Sequence, residues 1–417
     1  MVLSSSLPNP SLSASSSCGL QLKWPEQGIN AAERLVLKRF IKAALTSVLA
    51  QSEDNLTFRK KQIHSVEQVD WILPITVTFL RDARGIIGIV LLLNKARGIV
   101  LEGGGQRKPK TAFDLLSGYV VKKDATPTEL KVIEYLRIHP SRGVVEIVGK
   151  RTVRDARDGL IKHQYFEVYR PKPLSHWIGR PVLNRPLFKL YLISGILKGL
   201  QQFHSRKISS CDPTRGQFTS FQGDLKPADL LLSDFGILIT DFGASNLCKN
   251  LSFSPVYAHP IMRKLGCEDS KNWCPFQEKY GAQLDMWSIG ILIAILLRNA
   301  FSSKTLEHAP PLGFIEKYFK RMPFYPDVSQ AEIDQEIAGY KKEDANKEAS
   351  FILVPLWELV QGCLRVNPAE IIPIEQAITC TDQLLMRHSP RLKEAIDKVD
   401  DLYLLAQFHL TPPSKGV

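Results

Sequence analysis

Residues 222 to 245 read QGDLKPADLLLSDFGILITDFGAS and bring Asp224, Lys226, Asp229 and Asp241 into one short stretch. Carboxylates of this kind offer the oxygen ligands that hard divalent cations prefer. A positioned carboxylate can also accept a proton, and a lysine supplies a compact positive charge. Composition alone does not say which side chain does which. An isolated Asp-Phe-Gly is ordinarily a strand running into a turn. Asp241-Phe242-Gly243 gains weight because it follows Gly223-Asp224-Leu225-Lys226-Pro227 at a fixed distance, Asp241 standing 17 residues after Asp224.

The elements that must position these groups are legible as pattern. Asn30 followed by Glu33 resembles a capping box, and Leu35, Val36, Phe40, Ile41, Leu45, Val48 and Leu49 recur at helical spacing, which predicts a helix over 31–51. Ile75–Leu80 and Ile86–Leu93, joined by Arg-Asp-Ala-Arg-Gly, read as a hairpin. From about residue 96 short strand-like runs follow (99–101, 119–121, 144–148, 165–169) with one helix-like segment near 127–138. Beyond 185 the texture is mostly helical. A small strand-rich part followed by a larger helical part predicts an α+β protein of two lobes.

The chain has 417 residues, 44% hydrophobic and 23% charged, a globular composition that excludes collagen-like and low-complexity readings. Its net charge of +12 is uneven: residues 95–170 hold 16 basic and 9 acidic side chains. Such a segment could meet nucleic acid, an anionic membrane or a phosphate ligand, or be a solvated basic face. It carries no interleaved aromatic motif for nucleic acid. The seven cysteines (18, 211, 248, 267, 274, 363, 380) are scattered without a CxxC pair, which argues against a disulfide framework and a zinc site and favours a reducing, cytoplasmic compartment. The apolar runs 86–93 and 287–298 fall short of the roughly 20 residues a bilayer needs, so no membrane span is expected. Eight of the first 17 residues are serine, which reads as a disordered tail and leaves export into a host cell by a nonclassical route as the alternative location.

The segment 222–245 resembles the catalytic loop and metal loop of the eukaryotic-type serine/threonine protein kinase family. Further landmarks follow in order. Phe253–Ile261 (FSPVYAHPI) is similar to the family's peptide-receiving GTPxYMAPE segment, 284–290 to its DxWSxG, and 363–368 (CLRVNP) to its CLxxDP. The resemblance covers about residues 96–380. It implies a bilobal, protein-kinase-like α+β fold with a strand-rich small lobe and a helical large lobe. Asp224 would accept the proton of the attacking hydroxyl, Lys226 steady the transferred phosphoryl group, Asp229 and Asp241 bind the metal, and Ser254 bond Asp224 and Lys226.

Several positions depart from the family. Asp229 replaces a metal-binding Asn and adds negative charge beside the phosphates. Gln222 and Gly223 replace His and Arg, so activation-loop phosphorylation is not expected to order the loop. Ile261 and Ile371 stand where the family has a buried Glu and Arg, read here as an apolar pair substituting for the ion pair. About twelve extra residues occur near 209–221.

In the small lobe, Gly103, Gly104 and Gly105 sit where a phosphate-covering loop is expected, with the third family Gly missing and Arg107, Lys108 and Lys110 beside it. Ala112, Asp114 and Ser117-Gly118 resemble AxDxxTG. Lys122 is assigned as the nucleotide lysine with Lys123 as the alternative, and Glu129 as its helix partner with Glu134 as the alternative. Tyr165–Tyr169 resembles the hinge strand, in which Glu167 and Tyr169 would offer backbone groups to adenine.

The organisation expected is a disordered Ser-rich tail (1–25), a helix-and-hairpin extension (26–94), the small lobe (95–170), the large lobe (171–385) and a C-terminal helix or tail (386–417). The resemblance implies ATP-dependent phosphoryl transfer to Ser or Thr of a protein substrate, with ATP and Mg²⁺ or Mn²⁺ as cofactors and no nucleic-acid partner. A pseudokinase, a binding module with weak or no transfer, is the alternative; a small-molecule phosphotransferase fits the 254–260 segment less well.

Overall fold

The computed structural model describes residues 22–23, 30–51, 56–58, 61–63, 75–82, 85–92, 110–114, 118–125, 127–139, 143–154, 161–168, 173–209, 217–219, 221–233, 236–245, 253–262, 273–300, 312–315 and 328–390. The chain divides into two compact units, Met1–Glu102 with Lys108–Val120, and Gly103–Arg107 with Val121–Val417.

The first unit holds helix α1 (Ala31–Gln51), the small hairpin β2 (Leu56–Phe58) and β3 (Lys61–Ile63), and a group of paired strands. The expected hairpin is present as β4 (Ile75–Asp82) and β5 (Gly85–Leu92), antiparallel, with a register shift between Leu80 and Arg81. β1 (Leu22–Lys23) lies parallel to β4, and β6 (Lys110–Asp114) pairs antiparallel with β5. Ala112 and Asp114 therefore sit opposite Leu92 and Val90.

In the second unit, β7 (Gly118–Ala125, of which Val121–Ala125 belongs here), helix α2 (Pro127–Ile138), β8 (Ile147–Arg154) and β9 (Ile161–Val168) come first. β8 and β9 form an antiparallel pair that shifts register between Ile147 and Gly149. Helices then dominate: α3 (Leu174–Trp177), α4 (Pro186–His204), α5 (Trp273–Arg298), α6 (Gln330–Ala345), α7 (Ser350–Cys363) and α8 (Ile374–His388). Two-stranded ribbons interrupt them, β10 (Lys207–Ser209) with β11 (Gln217–Thr219) and β12 (Leu230–Ser233) with β13 (Gly236–Ile239). Mixed helices and small antiparallel ribbons give the α+β class expected.

Helix α5 is apolar around its whole circumference from Met286 to Leu297 and is correspondingly sunk in the core, with Trp287 fully buried. By length and composition its Lys279–Arg298 part could cross a membrane, but it is largely covered by protein. Helix α8 shows the opposite pattern: Ile374, Ala377, Thr381, Leu384 and Leu385 form one inward stripe against α4, and polar residues cover the rest. Asn367, where the family resemblance has Asp, caps the short 3₁₀ turn Pro368–Glu370 by accepting from Ala369 N at 3.2 Å, a task either residue performs. The extra residues near 209–221 include β11 of the β10–β11 ribbon, and the ring of Phe221 beside it lies against Gly281 of α5. A Cβ at Gly281 would come within 2.4 Å of that ring.

Ile371 is buried in the main core, whereas Ile261 packs against a separate cluster of Ala258, Met262 and Leu284. The expectation of one apolar pair is thus corrected: the two isoleucines serve different clusters. The segment is tied down instead by His259, missed at the sequence level. Its fully buried ring accepts from Ile261 N at 3.1 Å on Nδ1, and its Nε2 donates to the carbonyl of Arg365 at 3.0 Å. A carbonyl can only accept, so these bonds fix the neutral Nε2–H tautomer. Burial pushes its pKa down to about 4, the Arg365 carbonyl opposing.

Candidate active site

The loop from Phe221 to Asp229 is shaped by one carboxylate of α5. Asp285, 1% exposed, accepts from Gln222 N at 2.7 Å, Gly223 N at 2.8 Å and His204 Nε2 at 2.8 Å. Gly223 has φ of 86°, and a Cβ there would come within 2.8 Å of the Ala244 carbonyl. The Gly found where the family has Arg therefore answers a backbone demand. Gln222 is fully buried; its Nε2 donates to Asp241 O at 2.7 Å and its Oε1 accepts from Asp224 N at 2.8 Å.

Asp224 receives two donors. Lys226 Nζ bonds its Oδ2 at 2.5 Å, and the backbone N–H of Ser254 bonds its Oδ1. Burial raises the Asp224 pKa above the ordinary carboxylate value, although Lys226 and Ser254 pull the other way. Asp224, Lys226 and Ser254, assigned separately along the sequence, are thus brought together. Lys226 also faces Asp229 Oδ2 at 3.3 Å. Burial would lower the lysine's pKa, but Asp229 and Asp224 outweigh it and hold Lys226 cationic.

Asp229 is 4% exposed, and its Oδ2 makes no hydrogen bond. Burial pushes its pKa well up, Lys226 opposing and Asp241 and Asp224 adding to the rise. Asp241 is exposed and holds φ of 61°, a left-handed conformation that Asp tolerates better than most residues and that recurs at functional sites. The ring of Phe242 beside it is fully buried against Phe203, with centroids 5.2 Å apart, which anchors the turn.

A buried Asp229 oxygen that makes no hydrogen bond and faces the Lys226 ammonium at 3.3 Å, together with the exposed Asp241 carboxylate, fits a hard cation. Among the described residues no group of three or more His, Cys, Asp or Glu could hold a metal by itself. Asp229 and Asp241 would be the protein ligands, with phosphate and water completing the shell as Mg²⁺ usually requires. Such an ion would neutralise charge developing on phosphate oxygens.

Lys123 of β7 forms the other half of the site. Its Nζ lies 2.7 Å from Glu167 Oε1 of β9 and 2.9 Å from Thr240 Oγ1, while Thr240 donates to Glu167 Oε2 at 2.8 Å. Burial alone would lower the Lys123 pKa, but Glu167 and Asp241 more than reverse it, and the pKa is raised. Lys122 stands one position earlier on β7, with its side chain outside the described residues. Glu129 of α2 is buried, accepts from Tyr165 Oη at 3.2 Å and lies close to Gly243. Glu134 pairs instead with Lys150. Gly103, Gly104, Gly105, Arg107, Lys108 and Tyr169 lie outside the described residues, as do the side chains of Lys110 and Ala112. Sequence reasoning assigned Glu167 for its backbone and missed its side chain. A glutamate directly after the apolar pair Tyr165-Phe166 was the available signal.

No family model matches the chain. It is similar to a probable serine/threonine-protein kinase fhkA of Dictyostelium discoideum, 26% identical over 271 residues, 59% of this chain and 40% of that protein. It is similar to serine/threonine-protein kinase dkf-1 of Caenorhabditis elegans, 30% identical over 140 residues, 31% of this chain and 16% of that protein. It is also similar to extracellular signal-regulated kinase 2 of Dictyostelium discoideum, 24% identical over 181 residues, 42% of this chain and 43% of that protein. The matched region spans less than half the length of each relative. The resemblance read from the motifs therefore extends to stretches of 140 to 271 residues, over which the chain is similar to serine/threonine protein kinases.

Proposed function

We propose that the chain transfers the γ-phosphoryl group of ATP to a Ser or Thr hydroxyl of a protein, in a bilobal site between a strand-rich and a helical part. The observation that carries this reading is Asp224, a half-buried carboxylate that Lys226 and the Ser254 amide hold in place and whose pKa is raised by desolvation against their pull. A carboxylate so placed accepts the proton of an incoming hydroxyl better than an ordinary one. Lys226, shared with Asp229, screens charge on the migrating group. Asp229 and Asp241 would hold Mg²⁺, and Lys123 would meet the phosphates. A cytoplasmic place of action is part of the proposal, supported by free Cys363 and Cys380.

The test is transfer of labelled γ-phosphate from ATP with Mg²⁺ or Mn²⁺ to a generic basic protein. Loss of transfer in both Asp224→Asn and Asp241→Ala supports the reading; transfer surviving in both overturns it. The pseudokinase is the second reading, favoured by the extra buried carboxylate of Asp229, which engages Lys226. Nucleotide that stabilises the natural chain without any transfer would select it.

A further inference from the structure

The contacts around Lys123 form a closed ring. Its ammonium donates to one oxygen of Glu167 and to Thr240 Oγ1, and the Thr240 hydroxyl donates to the other oxygen of Glu167. An ammonium has three N–H donors, so two are fixed within the ring and one is left for a ligand. Glu167 is 3% exposed and Thr240 4%, so the two groups that hold the half-buried lysine are withdrawn from water, where a charge-assisted bond is strong. Its members come from β7, β9 and the residue preceding Asp241. Thr240 is itself fixed by its backbone N–H, which donates to Asp229 O at 2.9 Å. The ring thus ties the lysine to the backbone of both candidate metal ligands.

We infer that Glu167 is the positioning residue for Lys123, and that Glu167 with Thr240, rather than the carboxylate of helix α2, aims the lysine at the phosphates. The inference rests on the kinase-like reading of the site. In protein kinases a lysine of this kind is set by a helix glutamate, and moving that helix controls activity. Here the carboxylate that holds the lysine belongs to a strand paired along its length with β8, so lysine and metal loop are aligned by the sheet itself.

Two measurements on the full chain test this. The first is the rate at which an amine-directed acylating reagent modifies Lys123, read by mass spectrometry; it needs no nucleotide. Glu167→Gln removes the charge that holds the ammonium protonated and should speed acylation about tenfold, the effect of one pKa unit. The second is MgATP affinity, expected to weaken about tenfold or more in Glu167→Gln and in Thr240→Val, and less in Glu129→Gln. Unchanged acylation in a folded Glu167→Gln overturns the inference whatever the nucleotide result, as does a Glu129→Gln loss larger than that of Glu167→Gln. Should Glu167→Gln not fold, natural MgATP affinity in Thr240→Val overturns it. A natural chain that binds no MgATP, with Lys123 acylation still sped by Glu167→Gln, rejects the kinase reading and leaves the positioning of Lys123 standing.

Discussion

The side-chain amide of Gln222 donates to the backbone carbonyl of Asp241 at 2.7 Å, joining the loop of the candidate base to that of the candidate metal ligand. Its other end accepts from Asp224 N at 2.8 Å. A neutral side chain therefore bridges the two loops, beside the Thr240 N–H that donates to Asp229 O and the Ser245 hydroxyl that donates to Gln222 O. Removing it leaves two polar groups without these partners, at about 1–3 kcal/mol each when buried. Gln222→Ala is expected to lower stability by about that much in urea denaturation and to reduce phosphate transfer. Gln222→Glu, which keeps the acceptor but turns a carboxylate oxygen towards the Asp241 carbonyl and buries a charge, should lose at least as much at neutral pH. Equal stability of all three chains would show that the bridge does not hold the loops.

Gly223 gives a backbone prediction. At φ of 86°, with the Ala244 carbonyl 2.8 Å from the place of a Cβ, Gly223→Ala combines left-handed strain of roughly 1–2 kcal/mol with a steric overlap. The denaturation midpoint should drop accordingly, and Gly223→Arg should drop at least as far. A midpoint unmoved by either substitution would contradict the geometry.

Asp229 predicts a pH-dependent cost. A carboxyl whose folded pKa is raised above its unfolded value of 3.8 favours the folded state below that value and loses this contribution as pH rises through the raised pKa. Metal-free protein should therefore be less stable at neutral pH than Asp229→Asn, with the difference shrinking towards about pH 4. Thermal unfolding with a chelator present measures both. Adding Mg²⁺ with ATP should narrow the gap at neutral pH.

His259 predicts the reverse slope. Its folded pKa of about 4 lies below the unfolded 6.5, so its contribution is complete above 6.5 and is lost as pH falls through about 4. Over that window stability should decline by up to about 1.4 kcal/mol per pH unit from this group. His259→Gln should flatten the curve there. An identical pH dependence in the variant would show that the ring titrates freely.

The groups that sequence reasoning found are those whose partners are local or whose order along the chain is fixed. Asp224 and Lys226 are two residues apart, and the helix over 127–138 announces itself by period. What escaped was nonlocal, and what stayed open between two residues hung on a single-residue register. Lys122 and Lys123 are adjacent on a strand, where one step changes the face, and a pair of lysines gives no apolar alternation to choose between them. Glu167 and Lys123 are far apart in sequence, and nothing in either neighbourhood marks the pair. The role of His259 depends on a carbonyl, which every residue has, so no residue type could have signalled it. The proposed pairing of Ile261 with Ile371 failed for a related reason: two apolar side chains match any cluster, and the chain path assigns them to different ones.

Asp285 has a consequence for how the molecule breathes. The amide hydrogens of Gln222 and Gly223 end on a carboxylate carried by the central core helix, not on a neighbouring strand or turn. Those two hydrogens can meet solvent only when the loop leaves α5 or α5 leaves the core. In amide hydrogen exchange they should be slower than ordinary loop amides and report release of the loop from α5.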